Sequence, residues 1–119
     1  METSQGQSLG FINGEALTRY RAVTKYGSTS DDTVGVCGTA DPMLGVVQET
    51  QATVDRHVKV ALDGITKVEA VTAFDAGVYI KVADALGRFG AATNLADAQM
   101  LSIEAAGAAG RIALARFIH

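Results

Sequence analysis

The 119-residue chain carries a formal charge of −3, and 48% of its residues are hydrophobic, a share swollen by alanine and valine and lacking tryptophan. One domain fits that length, with chain enough to bury a core without metals or disulfides. That core is expected to be thin and built from Val, Ile and Leu, so oligomerisation would usefully add burial. Dispersed Lys and Arg argue against direct nucleic-acid binding, which needs a clustered basic face, and the single cysteine, Cys37, excludes an intrachain disulfide.

Residues 1–14 are polar and glycine-containing except for Leu9, Gly10, Phe11 and Ile12. They read as a flexible N-terminal arm ahead of a single β domain over 15–119. The apolar tetrad suits docking, either onto the parent domain or onto a partner. "ALTRYRAVTKY" alternates and is rich in β-formers, so it reads as a strand, followed by a loop in "GSTSDDT". "VGVCG" is a short strand in which Cys37 reads as a buried, inert thiol. "TADP" is a turn. "MLGVVQE" is another short strand, with Gly45 at a bulge or a close backbone approach.

"DRHVKVALDGITKVEAV" has the clearest period of two. Val58, Val60 and Leu62 face one way, His57, Lys59 and Ala61 the other. Asp63-Gly64 then signals a hairpin, with Ile65 and Val68 on the return strand. "DAGVYIKVADALGRFGAA" repeats the logic. Val78, Ile80 and Val82 alternate with Tyr79 and Lys81, "ADALG" turns, and "RFGAA" begins the next strand. A short helical turn fits residues 94–100, with Asn94 as its N-cap and Asp97 in its first turn.

The closing "LSIEAAGAAGRIALARFIH" is alanine-rich, which favours helix, yet Gly107 and Gly110 would each cost about 1 kcal/mol in a helix interior. As a hairpin, Leu101 and Ile103, then Ile112 and Leu114, supply one apolar face, and the glycines serve positive φ in the connection. The hairpin is the better reading. Some seven to nine short strands result, an all-β barrel or sandwich.

Reactive chemistry is sparse. His57 and His119 are the only histidines, and one thiol with two distant histidines lacks zinc-site spacing. His57 reads as a solvated strand residue. Asp31 and Asp32 are explained by turn formation, and the spacing of an EF-hand calcium loop is absent. "GAAG" and "GRFG" lack the Lys-Ser/Thr of a phosphate loop. Tyr20, Tyr26 and Tyr79 are more simply strand formers than a stacking platform for single strands. No catalytic, cofactor or metal residue is expected. With no basic-then-apolar leader and no apolar run near the roughly 18 residues of a membrane span, the expected setting is a reducing cytoplasm or a particle assembled there.

The order of features resembles the capsid decoration, or cement, proteins of tailed bacteriophages. The resemblance runs from about residue 15 to 118, through "YRAVTKY", "DPMLGVVQ", "VKVALDGITKV", "DAGVYIKVADALGRFGAA" and "SIEAAGAAGRIALARF". The close matches the family's Leu-Glu-Ala-Ala-x-x-x-Gly-x-Ile, with Ile103 in the leucine's place before Glu104, Ala105, Ala106, Gly110 and Ile112. One departure is "QETQATVDR" over 48–56, which lacks the glycine expected before the Val-x-Val strand. The resemblance implies a non-enzymatic virion protein, often a homotrimer, on the outer surface of the capsid. There it would bridge major capsid subunits and stabilise the expanded shell. It further implies an arm that orders on the capsid, placed here at Leu9, Gly10, Phe11 and Ile12. The same composition would serve a head fibre base or a tail accessory domain, and a small ligand-binding β-barrel is the remaining alternative.

Overall fold

A computed structural model describes residues 8–26 and 32–118. Among these, β1 (Ser8–Asn13), β2 (Ala22–Lys25), β3 (Thr33–Val36), β4 (Gly45–Val47) and β5 (His57–Ala61) close a barrel in the order β1-β3-β2-β4-β5. The second half forms a five-stranded sheet in the order β6-β10-β9-β7-β8. Its strands are β6 (Ile65–Glu69), β7 (Tyr79–Val82), β8 (Phe89–Ala91), β9 (Met100–Ser102) and β10 (Ile112–Phe117). A bridge from Ala70 to Phe89 brings the two ends of that sheet together. The fold is all-β, with ten strands among the described residues where seven to nine were expected. The helical turn among the described residues is a 3-10 turn at Leu95–Asp97, capped by Asn94, whose side chain accepts from the Asp97 amide.

The stretch expected as a free arm is, over its described part, a barrel strand. β1 pairs with β5 antiparallel from Ser8↔Ala61 to Ile12↔His57, and with β3 parallel at Ile12↔Thr33 and Asn13↔Val34. Without β1 the barrel has a gap between β3 and β5. The boundary expected after residue 14 therefore falls behind a structural strand. Asn13 is fully buried and fastens the segment 51–56. Its amide donates to the Thr53 carbonyl at 2.9 Å, and its side-chain oxygen accepts from the Arg56 amide at 2.7 Å. Asp55 takes φ 64° in this segment, supplying the left-handed residue where a glycine was missed. Aspartate tolerates that region better than most residues.

Three further expectations are corrected. Asp63-Gly64 does not close a hairpin. Only Gly64 has positive φ there, whereas a type I′ turn needs it at both central residues. Both edges of β5 are also filled, by β1 and β4, so β6 passes on to pair with β10. The connection at 62–64 thus carries the chain from barrel to sheet. Residues 16–26 do not form one strand either. Tyr20 sits at φ 67° and breaks the run, leaving an isolated Leu17↔Gln51 bridge before β2.

The closing hairpin pairing is present, with Ala115↔Ser102 and Phe117↔Met100 in register. Its inward face is the opposite of the one expected. Ala113, Ala115, Met100 and Ser102 are buried, while Ile103 and Ile112 are exposed. Of the two connection glycines, Gly110 has φ 83° and Gly107 needs no positive φ.

The interior has two apolar clusters. One fills the barrel with Leu17, Val23, Val34, Val47, Val58 and Val60. The other spans both halves, joining Ala22, Cys37 and Val46 of the barrel to Val68, Ile80, Phe89, Met100, Ala113 and Ala115 of the sheet. Seven valines are among the largest fully buried side chains, each stabilising by about 1.5–3 kcal/mol on burial. Small residues let backbones meet. A Cβ on Gly45 would lie 2.3 Å from the Ala61 carbonyl oxygen and 2.7 Å from Val60, which is the close approach expected of it.

Gly45→Ala is expected to lower stability by about 2 kcal/mol through overpacking against a fixed strand. Gly107→Ala meets nothing within 4 Å and is expected to be neutral or to stabilise by about 0.5 kcal/mol. Thermal unfolding of both variants checks the pair.

Candidate docking surface

The residues with potential chemistry are dispersed. Cys37 is fully buried. Burial, aided by the nearby Asp41 carboxylate, pushes its thiol up to about 11, so it is held in the unreactive protonated form. His57 is exposed on β5, opposite Ile12. His119 and residues 27–31, including Asp31, lie outside the described residues; Asp32 contributes its carbonyl to the Ile12 amide at 2.7 Å. Among the described residues no group of three or more His, Cys, Asp or Glu side chains is placed to hold a metal. Among the described residues no helix is long and apolar enough to cross a membrane.

A dense polar cluster forms the joint between barrel and sheet. Glu69, at the end of β6, accepts from Arg21 at 3.0 Å on Oε1 and 3.2 Å on Oε2 in a two-pronged pair, and Arg88 approaches the same Oε2 at 3.8 Å. Arg88 also pairs with Asp84 at 2.7 Å. Asp84 sits in the turn expected at "ADALG" and accepts from the Leu86 and Arg88 amides. Burial alone would raise the Asp84 carboxyl. The hydrogen bonds from the Arg88 amide and guanidinium and from Leu86 outweigh it and hold the group below its ordinary 3.8. Every carboxylate in this cluster has its cation, which suits a structural link and not a reactive site.

The outer face of the second sheet is different in kind. Cross-strand register places Ile65, Arg116, Leu101 and Tyr79 in one row, with Lys67 beside Leu114 in the next and Ile112 beyond. Because Ala113 and Ala115 turn inward, β10 presents Ile112, Leu114 and Arg116 outward. Tyr79 and Ile112 are each 42% exposed. At one end a depression of about 470 Å³ is lined by Tyr79, Leu95, Leu101, Arg116, Phe117 and Ile118. Exposed apolar area with tyrosine and arginine is the composition of protein interfaces. Sequence reasoning missed this face because it assigned Ile112 and Leu114 to the core. Of the sequence-predicted arm residues, Leu9 to Ile12 lie in β1, spent on closing the barrel; the structure does not bring them onto the apolar face of the sheet.

No family model matches the sequence, and no curated protein does. Among solved structures the chain is similar to the head fibre gp8.5 N base of bacteriophage phi29. The TM-score is 0.70 over 93% of this chain and 92% of that one, at 14% identity. At that identity the likeness shows a shared fold.

Two outcomes follow from the polar groups. Cys37 in the native protein is expected to resist alkylation at pH 8, with only roughly one thiol in a thousand ionised at its raised value, and to react fully once the protein is unfolded. The lowered Asp84 makes a stabilising contribution that is complete above its unfolded value of 3.8 and is lost as pH falls through the folded value. Asp84→Asn should therefore cost about 1 kcal/mol at neutral pH and flatten the acid limb of the stability curve measured by urea unfolding.

Proposed function

We propose that this chain is a structural protein of a tailed-phage virion, seated on the outside of the head as the base of a head fibre. The observation that carries this reading is the near-complete structural match, over both chains, to a head fibre base. The sequence resemblance to capsid cement proteins points to the same place, the exterior of the shell. Cement is the second reading. In both, the partner is the major capsid protein, the chain is not an enzyme, and a homotrimer would cover apolar area that a thin core leaves outside. The exposed sheet face supports attachment, since such area is stabilised only when something covers it. Many identical contacts around a closed shell would add through multivalency.

The Leu9–Ile12 stretch has a changed place in this reading. As part of β1 it contributes to attachment by keeping the barrel closed, and not as a loose arm that orders on the shell.

Purified chain mixed with heads stripped of surface proteins is expected to co-sediment with them, and cryo-electron microscopy should show density on the head exterior. Fibre bases should carry density projecting outward from each occupied position. A cement protein should form a low, continuous cover. Chain that stays in the supernatant, or density confined to the tail, would overturn the proposal.

A further inference from the structure

Lys67 and Arg116 stand on the outer face of the second sheet, and Arg19 lies on the loop that meets it at Tyr20; Glu69, two residues on from Lys67 on the same face, is already paired with Arg21. The Arg19 guanidinium lies 5.1 Å from the centre of the Tyr20 ring, and the Lys67 ammonium 5.8 Å from the same centre. Lys67 stands opposite Leu114, and Arg116 opposite Ile65. Lys67 and Arg116 are therefore diagonal neighbours on one face, roughly 7–8 Å apart. Among the described residues, none of the three makes an ion pair. Two acidic groups along these strands are engaged. Glu69 is held by Arg21 and Arg88, and Glu104 accepts from the Leu114 amide at 2.9 Å.

The arrangement is held at a cost. Tyr20 occupies the left-handed region at φ 67°, which is unfavourable for a bulky residue by on the order of 1–3 kcal/mol. Two backbone bonds fix it there, its amide to the Val47 carbonyl at 2.7 Å and its carbonyl to the Glu69 amide at 2.8 Å. The result is an aromatic ring displayed at the outer edge of β6, with a cation from its own loop and another from the sheet. In a chain of net charge −3, gathering like charges this way leaves a local positive site awaiting an anion. Arg116 also lines the depression walled by Tyr79, Leu95, Leu101 and Phe117, so the positive site adjoins an apolar hollow.

We infer that this face takes an acidic polypeptide segment of a partner, its carboxylates on Arg116 and Lys67 and a neighbouring apolar side chain in the hollow. Tyrosine and arginine at the centre of apolar area are the residues that carry binding energy in protein interfaces. A nucleic acid would need a longer basic track than three cations. Naming the partner as the shell protein rests on the function proposed above. The chemistry of the surface does not.

The test has two arms. In the first, isotope-labelled chain is titrated with a synthetic peptide of alternating glutamate and leucine. Amide shifts are expected at Arg19, Tyr20, Lys67 and Arg116, weakening about tenfold or more in Lys67→Glu/Arg116→Glu and also weakening with added salt. Shifts absent from these positions, or unchanged in the double variant, would overturn the inference whatever the protein's biological setting. In the second arm, stripped heads are offered wild-type chain, the double variant, and a charge-matched control, Arg56→Glu/Lys59→Glu, on the barrel. Each is first checked for a native thermal transition. Binding by wild type and control but not by the double variant supports a shell partner. Equal binding by all three overturns the inference alone, and no binding by wild type overturns the proposed function alone. A double variant that changes the oligomeric state on sedimentation, or abolishes a DNA gel shift while peptide shifts persist, would assign the face to a second copy or to nucleic acid and overturn the acidic-segment reading.

Discussion

The fold depends on a single joint between the barrel and the sheet, and that joint is centred on the Glu69 carboxylate. One side chain holds Arg21, which enters the barrel at β2, and faces Arg88, which enters β8. Around it the backbone is stitched as tightly. The Ala22 amide donates to the Gly87 carbonyl at 2.7 Å, and the Glu69 amide to Tyr20 at 2.8 Å. A Cβ on Gly87, which has φ 79°, would lie 2.6 Å from the Ala22 carbonyl oxygen. Glycine is therefore required twice over at that position, by conformation and by contact. A nearly buried glutamate left without its arginine would be strongly destabilising. The pair is accordingly a device for fixing position more than a source of net stability.

The joint explains how so thin a core suffices. Each half alone would be a small set of short strands with one cluster of valines or one of mixed side chains. Because Ala22, Cys37 and Val46 pack against Val68, Phe89 and Met100, the two halves share burial that neither could obtain separately. The chain crosses between them once, at 62–64, so the relative placement must come from the side chains and backbone bonds at the joint. Asn13 does for the barrel what Glu69 does for the junction, satisfying buried polar groups of a long loop with one side chain.

Strand existence was legible in the sequence, and strand partnership was legible only in the hairpins β7–β8 and β9–β10. The period of two in "HVKVA" and "VYIKV" reports a local fact, that alternate side chains are buried, and Val58, Val60, Ile80 and Val82 are indeed inside. The β7–β8 hairpin was legible because its turn chemistry is local too, with Asp84 accepting two amides and Gly87 at positive φ. Asp63-Gly64 carries an equally good local signal, but β5 has no free edge to offer, and that is decided by β1 and β4 from elsewhere in the chain. The inward face of β10 was misread for another reason. Hydrophobicity puts Ile112 and Leu114 inside, whereas volume puts Ala113 and Ala115 there, in the cluster already occupied by Phe89, Ile80 and Met100. In a close-packed interior the smaller residue wins where large neighbours are fixed. The exposed apolar face of the second sheet was hidden by that same inversion. Tyr20 was hidden because its significance lies in Lys67, on another element.

The inversion of β10 also decides what the molecule can do. A sheet that kept Ile112 and Leu114 inside would show alanines to the solvent, a surface with little to bury and little to gain from contact. With the alanines inside, β10 turns its large apolar residues and Arg116 outward, and β9 and β7 add Leu101 and Tyr79 in register. Small residues thus serve two ends at once. They allow the close packing that a chain poor in aromatics needs, and they release the larger side chains for the exterior. For a protein proposed to act by attachment, that division of labour is the functional design. Stability resides in valines, glycines and two buried polar fasteners, and the residues with most to gain from a partner stand on a rigid, hydrogen-bonded sheet whose geometry the joint at Glu69 holds fixed.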